Sequence, residues 1–107
     1  MKTSHHRSDD NGHFKLRRCI LELLYALFQE TPFAEVELAH IEDSCHTDAR
    51  ELNWNIVYLE KCGYIALNKS ADCITHVGFA ASITAAGIDL VENRIDFRDR
   101  FPTCDDA

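Results

Sequence analysis

The run Ala49–Ile65, ARELNWNIVYLEKCGYI, constrains this chain more than any other stretch. Leu52, Ile56 and Leu59 fall at i, i+4 and i+7, the spacing that lines apolar side chains along one face of an α-helix. Gly63 follows, where a helix ending in a left-handed residue favours a side chain without a Cβ. Tyr64–Leu67, YIAL, then reads as a short strand. A helix of this length cannot bury its stripe alone, and a single hairpin is unstable in water. The rest of the chain has to supply a second strand and a helical surface beneath it.

The flanking segments have the right periodicities. Phe14–Gln29, FKLRRCILELLYALFQ, repeats Leu16, Cys19/Ile20, Leu23/Leu24 and Leu27 at helical spacing, and Tyr25, Ala26 and Phe28 broaden the stripe. Pro32 then drives Thr31 out of the helical region. Ala34–Cys45 gives a short helix on Val36, Leu38/Ala39 and Ile41, with an acidic outer side. Thr47 or Asp48 can cap the helix from Ala49 to Cys62, and Glu51 completes an approximate capping box with Asp48. After the loop NKSAD, the run Cys73–Ile83 alternates Val77, Phe79, Ala81 and Ile83 on one face of a strand. Thr84 caps a last helix, Ala85–Ile95, with Ile88 and Val91 turned inward, although Gly87 weakens a helix at that point.

Helix, helix, helix, hairpin, helix, with these joints, resembles the winged helix-turn-helix family. HTDARELNWNIVYLEKCGYI looks like that family's third helix running into its first wing strand. NKSAD falls where the wing tip does, and ITAAGIDLVE looks like the strand-to-helix exit after the wing. The resemblance covers Phe14 to Asn93. It implies an α+β, mainly helical fold: a three-helix core, a β-hairpin wing and a C-terminal helix. The expected organisation is a flexible polar arm over 1–13, a winged-helix domain over 14–93, and a C-terminal extension with an acidic tail over 94–107.

The same resemblance implies a transcription-regulator type protein that binds duplex DNA, with the third helix in the major groove and the wing on the backbone. Opposite the buried stripe of that helix stand Arg50, Trp54, Val57, Tyr58 and Lys61, with Asn53 at one edge. Arg50 and Asn53 have the donors and acceptors to read guanine and adenine edges. Lys61 and the wing residues Asn68, Lys69 and Ser70 are the candidates for backbone contacts. The charge distribution opposes this. The chain carries a net −7; residues 1–18 hold a net +3, and no Lys or Arg lies between Cys19 and Ala49, where seven acids do. Asp48, Glu51 and Glu60 leave the third-helix segment at a net −1, whereas affinity for duplex DNA rests largely on neutralising phosphates. Lys15, Arg17, Arg18 and the arm are the basic groups available to compensate. Trp54, Val57 and Tyr58 together support the alternative of a winged-helix module that binds another protein and no DNA. They would otherwise pack under the wing or against the last helix. A homodimer through the first or last helix would account for the broad stripe around Leu23–Phe28.

No enzyme is expected: there is no glycine-rich phosphate loop, nucleophile elbow or His-Glu-x2-His motif. No cofactor is expected either. Cys45-His46, Cys62 and Cys73-x2-His76 do not have the paired spacing of a zinc site. His40 and His46 read as solvated surface residues. Five cysteines at irregular spacing, behind an N-terminus without an apolar signal region, read as free thiols in the cytoplasm, with Cys19 as plain core. No apolar run is long enough to span a membrane.

Overall fold

A computed structural model describes residues 3–69 and 79–102. Helix α1 runs Thr3–Glu30 and β1 is the pair Val36–Glu37. Helices α2 (Leu38–Ser44) and α3 (Ala49–Lys61) follow, then strands β2 (Ile65–Lys69) and β3 (Phe79–Ile83). Helices α4 (Ala85–Glu92) and α5 (Arg94–Arg100) complete the order. The strands form one antiparallel sheet in the order β1-β3-β2. The core joins Leu16, Ile20, Leu21 and Leu24 of α1 to Leu38 and Ile41 of α2 and to Leu52, Ile56 and Leu59 of α3. Ile65, Ala81 and Ile83 of the sheet lie over them. The three-helix core, the antiparallel hairpin and the helix after it are as expected.

Three boundaries differ from expectation. Residues assigned to a flexible arm are helical: α1 begins at Thr3, not Phe14. No proline interrupts this stretch, and His13, next to Asn55 of α3, helps to seat it. Val36 and Glu37 belong to a strand, not a helix, and pair with Ala81 and Ala80. Glu37, extended at φ −64° and ψ 142°, then starts α2. Finally, the packed domain does not stop at Asn93. The Asn93 side chain accepts from the Asp96 amide at 3.1 Å and so restarts the chain as α5. Phe97 of this last helix and Phe101 just past its end are buried.

The joint after α3 follows the sequence closely. Asp48 caps α3 by accepting from the Glu51 amide at 2.8 Å. At the other end Tyr64 N–H donates to the Leu59 carbonyl and Gly63 N–H to that of Glu60, a Schellman closure with Gly63 at φ +86°. Nothing lies within 4 Å of a Cβ built on Gly63. Its replacement therefore costs only the left-handed backbone penalty. Gly63→Ala should lower stability by about 1 kcal/mol in urea unfolding, without a change of fold.

Candidate nucleic-acid interface

Helix α3 buries Leu52, Asn55, Ile56 and Leu59. Its opposite side presents Arg50, Asn53, Trp54, Val57 and Lys61 to solvent, with Trp54 51% and Val57 42% exposed. Arg50 lies over the Trp54 ring, 4.9 Å from its centroid. One helical turn separates the two, so the contact is local and leaves the guanidinium edge available. Among the described residues, therefore, Trp54 and Val57 are left open to solvent and not packed against the last helix.

Tyr58 is set apart from this row. It is half-buried; Arg17 of α1 lies over its ring at 3.9 Å, and its hydroxyl accepts from Arg100 of α5 at 2.6 Å. Arg100 also donates to Cys62 Sγ at 3.3 Å. Arg17 Nε in turn donates to Asn55 Oδ1 at 2.7 Å, and Asn55 Nδ2 to the Glu51 carbonyl at 2.8 Å. Burial lowers the Arg17 pKa, while the hydrogen bond to Tyr58 is the main reason that of Arg100 is raised. Both guanidiniums keep their charge, because an arginine starts so far above neutrality. This polar network ties α1, α3 and α5 together behind the exposed row.

The basic groups that were to offset the acidic surface are thus partly committed. Arg17 serves the network, and Arg18 lies over Phe97 of α5 at 5.4 Å. Lys15 is exposed. On the wing, Asn68 sits near the end of β2, and its Nδ2 donates to Glu35 Oε2 at 2.8 Å. Lys69 ends that strand, while Ser70, Val77, Cys73 and His76 lie outside the described residues.

Cys19 and Cys45 depart from the free-thiol expectation. They are joined as a disulfide between α1 and the C-cap of α2, with a Cα–Cα separation of 6.0 Å. Cys19 lies at the edge of the α1 stripe, and the short α2 ends beside it; neither fact could pair two cysteines 26 residues apart without the fold. Among the described residues Cys62 is the free cysteine, and no group of three or more His, Cys, Asp or Glu side chains is placed to hold a metal. Among the described residues no helix is long and apolar enough to cross a membrane.

Sequence reasoning missed the Arg17–Asn55–Tyr58–Arg100 network. One signal was legible: Asn55 directly precedes Ile56 on the core side of α3, where a polar side chain needs a partner. Nothing local marks Arg17 or Arg100 as that partner or its neighbour.

Three helices, a wing that returns along β3, and α3 displayed at the surface define a winged helix. Solved structures of MarR-family regulators share it. NMB1585 of Neisseria meningitidis superposes with a TM-score of 0.57 at 16% identity over 79% of this chain and 57% of its own. Staphylococcus aureus MepR, in its DNA-binding conformation, gives 0.56 at 21% identity, over 85% of this chain and 58% of its own. Bordetella bronchiseptica BpsR, whose DNA binding is regulated by 6-hydroxynicotinic acid, gives 0.52 at 12% identity, over 94% and 75%. The chain thus spans little more than half the length of the first two. No family model and no curated protein matches the sequence.

Proposed function

We propose that this chain is a DNA-binding transcriptional regulator that reads duplex DNA through the outward face of α3. The observation that carries the reading is the solvent-facing row Arg50, Asn53, Trp54, Val57 and Lys61 on a helix whose other side is locked into the core. Likeness of fold to regulators that bind DNA supports it. Arg50 reads a guanine and Asn53 an adenine edge, while Trp54 and Val57 meet thymine methyls or sugars. Lys61, Lys69 and Ser70 meet phosphates, with Asn68 beside them on the wing. The active form is a homodimer. Half-buried Leu23, Leu27 and Phe28 on α1 and exposed Ile95 on α5 are the apolar surface available to a second copy. The role requires no cofactor and no catalytic residue, and a regulator of this type works in the cytoplasm, where its DNA is.

The second reading, a winged-helix module that binds protein and no DNA, draws on the half-exposed Trp54 beside Val57, on a segment of net −1. The two part on substitution. If the chain reads DNA, Arg50→Ala should weaken binding to a selected site about 10- to 100-fold in a gel shift, in line with the loss of one bidentate base contact. Tight binding untouched by Arg50→Ala would reject the assigned face. For a protein-binding module, Trp54→Ala should instead abolish capture of a partner while duplex DNA is ignored throughout.

A further inference from the structure

We propose that Cys19 and Cys45 form a reversible, oxidant-sensitive disulfide that fastens the α2–α3 joint to α1 and so sets how firmly α3 is held. Cys45 is the C-cap of α2, and three residues on, Asp48 caps α3. Between them His46 sits at φ 55°, a left-handed conformation uncommon for a residue with a Cβ, which its surroundings help to hold. The surroundings here are Thr47 N–H on the Glu42 carbonyl at 3.0 Å, the long 3.3 Å bond from His46 N–H to Asp43, and the covalent link to α1. Cutting the link removes the only covalent restraint on that turn within the described residues.

Both cysteines are half-buried. Neither is sealed in the core, where a disulfide would be inert to peroxide and thiol. In the oxidising direction one thiolate attacks the peroxide, giving a sulfenic acid and releasing hydroxide. The second thiol then displaces water and closes the S–S bond. Two thiols lose two electrons and two protons, and one peroxide becomes two waters. Two equivalents of glutathione reverse the step and leave as glutathione disulfide.

The inference rests on the proposed DNA-reading role only for what a firmly held α3 does; the bond and its effect are measured on the protein alone. The full chain is reduced, then treated with hydrogen peroxide. Free thiols are alkylated, and cross-linked peptides are mapped by mass spectrometry. A Cys19–Cys45 peptide is expected, and millimolar glutathione should return both thiols. Oxidation should raise the thermal midpoint by roughly 15 °C, the scale expected for closing a loop of this size. It should also slow amide exchange from Cys45 to Leu52. Cys19→Ser and, should that fold poorly, Cys19→Ala should erase both differences between the oxidised and reduced protein. Three results would overturn the proposal: pairing of other cysteines, a Cys19–Cys45 bond that glutathione does not open, or a bond that changes neither midpoint nor exchange. If the bond behaves as proposed and the protein still ignores DNA, the DNA-reading role falls and the thiol pair stands.

Discussion

Gly87→Ala should lower stability by about 3 kcal/mol, although alanine is the better helix former by roughly 1 kcal/mol. The two effects compete, and geometry decides. A Cβ on Gly87 would overlap the carbonyl oxygen of Tyr64 and come within 2.8 Å of Ile83 Cγ1. That carbonyl is not free to retreat, because it accepts the Thr84 amide at 3.0 Å. Thr84 Oγ1 in turn donates to the Gly63 carbonyl at 2.6 Å and accepts from the Gly87 amide at 3.1 Å. The start of the wing, its exit and the first turn of α4 are therefore one welded corner. Urea unfolding should show a lower midpoint at unchanged slope. An increase in stability would mean that α4 does not press on the Gly63–Tyr64 turn.

Phe101→Ala should cost about 3–5 kcal/mol, the range for emptying a buried aromatic site. Phe101 is 0% exposed and meets Phe97 and Tyr64 edge to face, each with a centroid separation of 6.4 Å. Its neighbour Arg100 carries the hydrogen bond to Tyr58. Losing Phe101 thus loosens the network behind α3 as well as the core. A truncation after Asn93 should be worse still, because Phe97 is lost with it. If either variant unfolds like the wild type, the C-terminal segment is not part of the domain.

The wing corner was legible because its cause is local. Gly63 needs a left-handed backbone, Thr84 sits three residues before Gly87, and Leu52, Ile56 and Leu59 keep one period. The exposed row on α3 was legible for the same reason, since it is the complement of that stripe. Tyr58 shows where periodicity ends. Its position on the helix leaves it beside Val57, and only the arrival of Arg17 and Arg100 from α1 and α5 draws it inward. The Cys19–Cys45 pair is another such case: its partners meet through tertiary packing, which no spacing in the sequence encodes. Strand β1 was hidden because two residues carry no period, and Val36 fits a helical or an extended pattern equally. Helix α5 was masked by its charge. RIDFRDR offers little apolar signal besides Ile95 and Phe97, and the residue that is buried most completely, Phe101, lies just past its end.

The central claim, that α3 and the wing form a DNA-reading face, is tested most directly by the salt dependence of binding to random duplex DNA. Two phosphate-facing cations, Lys61 and Lys69, should give each chain a slope of log K against log salt of about −2, from about −0.9 per phosphate neutralised. Lys61→Ala should make it shallower by about 1. An affinity that does not respond to salt, or a slope that Lys61→Ala leaves unchanged, would contradict the assignment of this face to DNA.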